Sequence, residues 1–285
     1  MKIAVLSDIH SNHLALKACL DHAASCHADL YLFLGDYAGE LPHPQKTMEL
    51  LYALMQQHDC RFIRGNREEY WADYEARGKT GWKAFDTSTG CLFYTYHHLS
   101  ERDLSFFRSL PPAAEVRFPA LPAITLCHGS PRKTNEQLLP GKPNTRFVLK
   151  NEPNAYLLCG HTHAAGKLRH GGTTLLNPGS VGLSHGSREA RYLMLESRNG
   201  QWLETFHAIP YDTEAMIAEI NASGLGQRAP WWCEVTKQML RGGSVTHDVV
   251  LQRAVMLCRA ETDGCPEIHE RHWEQAVREL LSDRT

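Results

Sequence analysis

Residues with metal-binding side chains directly follow five short apolar runs in the first two thirds of the chain. The clusters are Asp8-Ile9-His10, Gly35-Asp36, Gly65-Asn66-Arg67-Glu68, His128-Gly129 and Gly160-His161-Thr162-His163. Each apolar run predicts a β-strand. In open α/β sheets, ligands bind beyond the carboxyl ends of the strands. We therefore expect these five loops to meet at one site.

The side chains in these clusters are suited to binding a pair of divalent metal ions. Carboxylate, carboxamide and imidazole groups together favour Mn, Fe, Zn or Ni over Ca or Mg. Seven candidate ligands are too many for one catalytic ion that keeps an open position. Two ions ~3.5–4 Å apart can hold both the attacking and the leaving oxygen of an in-line displacement. The candidate ligands are Asp8, His10, Asp36, Asn66, His128, His161 and His163.

The segments that carry the first three clusters alternate between strand and helix. Residues 3–6 predict a buried strand, and residues 30–34 and the shorter segment 61–63 predict a second and a third strand. Residues 12–25 and 44–57 have the apolar spacing of helices. This βαβαβ order predicts helices packed on a sheet that begins parallel.

The middle of the chain predicts helices first and then a return to strands. Residues 66–110 predict mostly helix, with a capping box at Ser100 and Asp103 and a stop at Pro111-Pro112. Gly-containing turns at 170–172 and 198–200 predict antiparallel hairpins. The later predicted strands cover 114–118, 122–127, 155–159, 166–170, 173–177, 190–197 and 201–207.

These elements predict an α/β fold with four layers, αββα, in which two mixed sheets face each other between flanking helices. We assign residues 1–210 to this catalytic domain and residues 211–285 to a helical C-terminal appendage. The appendage is predicted to hold helices at 212–222, 232–241, 246–260 and 267–281. We expect Trp231-Trp232 to pack within it.

Composition and charge narrow the class of protein. Hydrophobic residues make up 42% of the 285 residues and the formal net charge is −2, so we expect a globular protein for which nucleic acid and membrane surfaces are unlikely partners. The nine cysteines form no CxxC pair, which favours reduced core cysteines over a disulfide framework. The amino terminus lacks the pattern of a signal peptide and no apolar run could cross a bilayer, so we expect a soluble, cytoplasmic protein.

The ordered clusters resemble the calcineurin-like metallophosphoesterase family over about residues 1–210. Ser7-Asp8-Ile9-His10-Ser11-Asn12 and Asn177-Pro178-Gly179-Ser180-Val181-Gly182 are similar to its small bacterial, phosphodiesterase-like branch. The resemblance implies a β-sandwich flanked by helices and attack on phosphorus by a hydroxide that bridges the two metals. It implies that Asp8, His10 and His163 hold one metal, that Asn66, His128 and His161 hold the other, and that Asp36 bridges them.

Arg67 departs from the family pattern, since many members have at this position a histidine that assists the leaving group. Arginine stays protonated and is a poor general acid, but it can pair with phosphate oxygens. The departure therefore favours a diester or an anhydride as substrate, because its leaving group needs less proton assistance. Alternatively, Arg67 makes only a structural ion pair with Glu68, Glu69 or Asp73.

We expect Arg67, Asp36 and His128 to be catalytic, and Asn12, Arg67 and Arg132 to contact the substrate. Arg132 follows His128 closely in the chain, although a solvated loop charge is the alternative for it. The predicted function is metal-dependent hydrolysis of a phosphodiester or phosphate ester of a small molecule or nucleotide. The alternatives are a dinucleoside polyphosphate hydrolase, a nuclease, or a non-enzymatic scaffold with a vestigial metal site.

Overall fold

The computed structural model of the protein describes residues 1–261, 264–265 and 267–281, and within these it contains ten strands and eleven helices. The strands are β1 (Lys2–Leu6), β2 (Leu30–Phe33), β3 (Asp59–Phe62), β4 (Ala113–Val116), β5 (Ile124–Cys127), β6 (Tyr156–Leu158), β7 (Gly166–His170), β8 (Thr173–Asn177), β9 (Ala190–Arg198) and β10 (Gln201–Ile209). The helices are α1 (His13–Ser25), α2 (Pro44–Gln57), α3 (Asn66–Ala76), α4 (Gly90–His98), α5 (Glu101–Ser109), α6 (Pro143–Asn151), α7 (Thr213–Ala222), α8 (Leu225–Arg228), α9 (Pro230–Leu240), α10 (His247–Glu261) and α11 (Glu270–Leu281).

The strands form two mixed five-stranded sheets, which confirms the predicted fold class. The first sheet has the order β10-β9-β1-β2-β3, and the second has the order β4-β5-β6-β8-β7. β1, β2 and β3 run parallel, while β9 pairs antiparallel with both β1 and β10. In the second sheet β5, β6 and β8 run parallel between antiparallel edge strands. The five strands that precede the polar clusters therefore belong to the parallel parts of the two sheets.

The main core lies between the sheets because the central strands are apolar on both faces. Ile3 and Val5 pack in one cluster with Leu126 and Leu158 of the other sheet. Residues alternate along β1, so Ala4 and Leu6 point the other way, into a cluster with the helices. Burial on both faces fixes the strands tightly and gives the loops at their ends a rigid base.

The helices agree with the prediction at most positions. The capping box of α5 is present, with the Asp103 amide donating to Ser100 Oγ and the Ser100 amide donating to Asp103 Oδ2. Helix α6 was not predicted, although Pro143 at its first turn is a helix-start signal. The prediction for the third strand was displaced, because β3 begins at Asp59.

The C-terminal helices share a core with the rest of the molecule. Met216, Val235 and Trp273 lie in one buried cluster with Leu41 and Leu183. In the described residues after Pro210 there are helices and no strand, as predicted. The division into two domains at residue 210 stays a prediction, since the cluster includes residues from both sides of it.

The cysteines differ in one respect from the expectation that all are reduced core residues. Seven are free, but Cys258 and Cys265 form a disulfide across the end of α10. Their Cα atoms are 5.4 Å apart, a separation that a disulfide spans. The sequence alone could not indicate this proximity.

No helix among the described residues has both the length and the apolar character that a bilayer crossing requires.

Candidate metal centre

Hydrogen bonds donated by backbone amides hold the five predicted loops together at the carboxyl ends of their strands, and the Arg67 amide joins the third loop to Asp36 Oδ1 at 2.9 Å. The Ile9 and His10 amides donate to the Asp36 carbonyl oxygen at 2.9 and 3.0 Å. The Gly160 amide donates to the His128 carbonyl at 2.7 Å, and the His161 amide donates to Asp8 Oδ2 at 3.0 Å. The structure therefore brings the loops of both sheets to one place.

Asp8, His10 and His163 form the first ligand group. His163 Nε2 lies 3.2 Å from Asp8 Oδ1 and 3.1 Å from His10 Nε2, and the His10 Nε2 to Asp8 Oδ1 distance is 3.8 Å. Two ligands that bind one ion at ~2.1 Å with ordinary angles are ~3.0–3.4 Å apart. The three side chains thus have nearly the spacing that a single ion requires.

A second ligand group surrounds His128 Nε2. Its neighbours are Asn66 Oδ1 at 3.1 Å, Asp36 Oδ1 at 3.4 Å and Asp8 Oδ1 at 3.8 Å. The other Asp36 oxygen lies 3.8 Å from His10 Nε2, so this carboxylate reaches both groups. The His161 ring is beside His128, with ring centroids 5.2 Å apart.

The tautomers of two histidines follow from backbone carbonyls. His128 Nδ1 lies 2.7 Å from the Leu34 oxygen, and His163 Nδ1 lies 2.7 Å from the Leu183 oxygen. A carbonyl oxygen only accepts, so each Nδ1 carries the proton and each Nε2 is left for a cation. Without a proton or a metal ion between them, His128 Nε2 and the oxygens around it would repel one another. The donor set therefore fits a divalent metal.

The carboxylates and histidines shift one another's protonation strongly. Burial disfavours the charged form of Asp8, but the charges of His163 and His128 outweigh it and hold its pKa well below the usual range. Burial likewise disfavours a charged His128, yet Asp36 and Asp8 raise its pKa to about 10. Without a metal, the carboxylates thus retain a proton on His128. The two buried carboxylates, Asp8 and Asp36, therefore require a positive charge beside them.

Five of the seven predicted ligands have a left-handed backbone conformation, which is uncommon for residues other than glycine. Such strain concentrates where a fold holds side chains for function. The surrounding backbone is also tightly packed, since a Cβ on Gly35 would lie 2.4 Å from the Gly65 amide nitrogen. The five φ angles are 55° at Asp8, 51° at His10, 56° at Asp36, 65° at His161 and 54° at His163.

Glu68 organises the loops, a role that the sequence did not indicate. Its carboxylate accepts from the amides of Gly65 at 2.7 Å, Asp36 at 2.9 Å and Tyr37 at 3.0 Å. Burial, and then the Asp36 charge, raise the pKa of Glu68 to about 7. Glu68 is only 2% exposed, so it links the loop after β2 to the start of α3 inside the protein.

A cavity of about 360 Å³ opens over the ligand groups, and the C-terminal helices form part of its wall. Trp232, Met239 and His247 line it together with five of the seven candidate ligands, whereas Asp8 and His128 are fully buried. Trp232 packs within the appendage as predicted, edge-on to Trp273 with centroids 5.9 Å apart. Its ring also stacks on His247 at 4.2 Å, and that pair faces the cavity, which the sequence did not indicate.

The predicted substrate-binding residues lie in three different environments. Arg67 lines the cavity and forms an ion pair with buried Glu40, rather than with any of the three acidic residues considered as alternatives. Arg132 borders a separate cavity of about 340 Å³ and pairs with Glu136. Asn12 is fully buried and caps α1.

The side chain of Asn12 serves the structure of the loops. Its Nδ2 donates to the Gly182 carbonyl at 2.8 Å and to the Tyr211 hydroxyl at 3.0 Å. These bonds, with the cap at Ala15, occupy its polar atoms. Arg67 is the one predicted substrate contact that lines the cavity containing the candidate ligands.

The two facing mixed sheets and the flanking helices define a metallophosphoesterase fold. Residues 1–200 match the model of the calcineurin-like phosphoesterase superfamily domain. The chain therefore belongs to the calcineurin-like phosphoesterase superfamily, and the family predicted from the motifs is confirmed.

Individual relatives are distant in sequence. An uncharacterised protein of Methanocaldococcus jannaschii is 27% identical over 216 residues, which is 69% of this chain and 83% of the relative. A hypothetical protein of Pyrococcus horikoshii has a crystal structure with a TM-score of 0.71 and 19% identity, covering 82% of this chain and 97% of its own. The crystal structure of a metallophosphoesterase of Sphaerobacter thermophilus has a TM-score of 0.65 and 23% identity, and the match covers 81% of this chain and 99% of its own. These structures show the shared fold.

Proposed function

We propose that the protein hydrolyses phosphodiesters of small molecules with two divalent metal ions. The observation that carries the proposal is the arrangement around His128, whose Nε2 faces acceptor oxygens of Asn66, Asp36 and Asp8 at 3.1–3.8 Å. Asn66 and Asp36 of this arrangement line a cavity, and the chain is a member of a phosphoesterase superfamily. Membership of that superfamily supports activity on phosphoesters.

The candidate ligands divide into two sets with one shared carboxylate. When bound, divalent ions supply Lewis acidity and make water a nucleophile at neutral pH. Asp36 directs a different carboxylate oxygen to each group, whereas Asp8 faces both groups with Oδ1 alone, so we assign Asp36 the bridging position. The assigned sets are Asp8, His10 and His163 for one ion, and Asn66, His128 and His161 for the other.

Arg67 is assigned to the substrate phosphate. Burial disfavours its charge, but Glu40 and then Asp36 raise the pKa of Arg67 above the ordinary arginine value. It therefore cannot donate a proton to a leaving group, and it binds phosphate oxygens through its N–H groups. A reaction without this proton donor favours a leaving group that needs little protonation. Diesters and activated esters meet this condition.

The size of the cavity supports a small substrate. Its volume of about 360 Å³ is near the lower end of the range for small-molecule sites, which is roughly 300–1,000 Å³. Three acidic residues line it, namely the candidate ligand Asp36 together with Glu40 and Asp248. Binding of long nucleic acid depends on clustered Lys and Arg, so the acidic lining counts against a nuclease.

The proposal is tested by adding Mn(II) to metal-stripped protein and following hydrolysis of bis-p-nitrophenyl phosphate beside p-nitrophenyl phosphate. We expect turnover that depends on the metal and is faster for the diester. Absence of turnover of both substrates with Mn, Fe, Zn and Ni would contradict the proposal.

The bridging assignment of Asp36 is tested separately with Asp36→Asn. We expect loss of both metal loading and activity, because the carboxamide cannot bridge two ions as a carboxylate does. Glu49→Gln changes an exposed residue of α2 in the same chemical way and serves as the control. Full retention of metal and activity in Asp36→Asn would refute the assignment.

A further inference from the structure

We propose that Glu40 makes the site select phosphodiesters over phosphomonoesters, by placing a fixed negative charge beside the arginine that meets the phosphate. This inference rests on the proposed function. It concerns a residue that did not belong to any predicted motif, and it follows from the position of the Glu40 carboxylate in the cavity.

The carboxylate of Glu40 is buried within the candidate site. Glu40 is 2% exposed and lines the same cavity as His10, Asp36 and Arg67. One oxygen, Oε1, accepts from Arg67 Nη2. The other, Oε2, is buried without a hydrogen-bond partner within the described part of the chain. Arg67 is therefore the main positive charge that this carboxylate contacts.

The loop that carries Glu40 holds it in an unfavourable backbone conformation. Gly39 has a φ of 131°, and a Cβ there would lie 3.7 Å from both Arg67 Cδ and His10 Nδ1. Glu40 itself has a φ of 44°, a conformation in which glutamate is strained. The Gly39 amide donates to Ser11 Oγ at 3.1 Å and holds the turn against the loop after β1. The local backbone therefore gives no reason for a glutamate here.

The charge of Glu40 acts differently on the two classes of substrate. A phosphomonoester carries about −1.5 to −2 charges near neutral pH, whereas a diester carries a single negative charge. The carboxylate also neutralises much of the attraction that Arg67 would exert. The doubly charged monoester therefore loses more attraction to the site than the singly charged diester. The ratio of the monoester rate to the diester rate thus reports on the charge of Glu40.

The size of the effect follows from Coulomb's law. At an assumed separation of about 8–10 Å and an effective dielectric constant of about 20, one unit of charge difference changes a rate ratio by roughly fifteenfold to thirtyfold. A merely structural role would lower kcat/KM for both substrates by the same factor and would leave their ratio unchanged.

The experiment measures kcat/KM for p-nitrophenyl phosphate and bis-p-nitrophenyl phosphate with wild type and Glu40→Gln, at pH 8 with saturating Mn(II). Glutamine keeps the shape of the side chain and an oxygen that can accept from Arg67, but it removes the charge. We expect the monoester-to-diester ratio to rise by on the order of tenfold. Glu40→Ala also removes the charge and carries the same expectation if the glutamine variant does not fold.

Glu75→Gln is the matched control. Glu75 lies on α3, the helix of Arg67, and accepts from Arg108 Nη1 at 2.8 Å, away from the residues that line the cavity. Its loss should leave the ratio unchanged. Glu40→Asp, which restores the negative charge, should return the ratio toward that of wild type.

The outcomes separate the two proposals. If wild type hydrolyses at least one substrate and the ratio in Glu40→Gln stays within about twofold of wild type, the role of Glu40 is refuted while the proposed function stands. If wild type hydrolyses neither substrate with any of the four metals, the proposed function fails and the role of Glu40 fails with it. An equal rise of the ratio in Glu75→Gln would show that the effect is not specific to the cavity and would also overturn the inference.

Discussion

Asp36→Asn in the metal-free protein should change the titration of His128 by several pH units. His128 Nε2 lies 3.4 Å from Asp36 Oδ1, and both side chains are almost wholly buried. At an effective dielectric constant of about 20, two unit charges at this distance attract by about 5 kcal/mol, which corresponds to about three to four pKa units.

The starting value is high because of this attraction. Burial alone would lower the pKa of His128, and Asp36 is the first of the two carboxylates that raise it to about 10. The asparagine variant keeps Asp8, whose Oδ1 is 3.8 Å away. We therefore expect the pKa of His128 in Asp36→Asn to fall from about 10 to near the ordinary value of histidine.

The measurement is an NMR titration of the histidine side chains in metal-stripped protein. Asp21→Asn removes an exposed carboxylate paired with Lys17 and should leave His128 unchanged. A His128 that titrates within one unit of the wild-type value in Asp36→Asn would refute the electrostatic account of the site.

The same shift predicts how stability depends on pH. The folded pKa of His128 lies above the unfolded value of about 6.5, so its contribution is complete below pH ~6.5 and is lost as the pH rises through about 10. Metal-free wild type should therefore lose unfolding free energy across this window, and Asp36→Asn should lose much less. Urea denaturation at several pH values measures the difference.

Three further predictions follow from the geometry. The apparent affinity for Mn(II) should rise about tenfold per pH unit between roughly pH 7 and 9, because His128, with its pKa raised to about 10, keeps a proton that the ion must displace. A chelator competition in which the Mn(II) affinity does not change with pH would contradict this. Glu68→Ala should lower the free energy of unfolding by at least about 3 kcal/mol in urea denaturation, because it leaves three buried amides without an acceptor, whereas Glu49→Ala on the exposed face of α2 should change it by less than about 0.5 kcal/mol. Gly35→Ala should lower the free energy of unfolding by at least about 2 kcal/mol more than Gly81→Ala, since both glycines have a φ above 90° but only the Cβ at Gly35 would clash. Equal losses of unfolding free energy in urea denaturation would refute the packing argument.

The convergence of the candidate metal ligands could be predicted from the sequence because each follows shortly after a strand. A strand of alternating or wholly apolar residues is a local pattern, and the parallel topology then fixes where its end lies. Asp8 and His10 after β1, and His161 and His163 after β6, converge for this reason. The carboxylate, carboxamide and imidazole groups of these residues then indicated a divalent-metal site.

Residues whose role depends on distant partners could not be predicted. Glu68 accepts from amides 31 and 32 residues away in the chain, and Glu40 meets Arg67 across 27 residues. Trp232 reaches the cavity only through the packing of α9 on the rest of the molecule, which the apolar pattern of a helix does not specify. The disulfide between Cys258 and Cys265 depends on a separation of 5.4 Å between their Cα atoms, which the spacing of the two cysteines in the sequence does not specify.

The most direct test of the central claim is anomalous scattering from crystals of the protein loaded with Mn(II). The account predicts two peaks ~3.5–4 Å apart, with Asp36 between them, one beside Asp8, His10 and His163 and the other beside Asn66, His128 and His161. A metal-loaded crystal with no anomalous peak within bonding distance of Asp36 and His128 would contradict it.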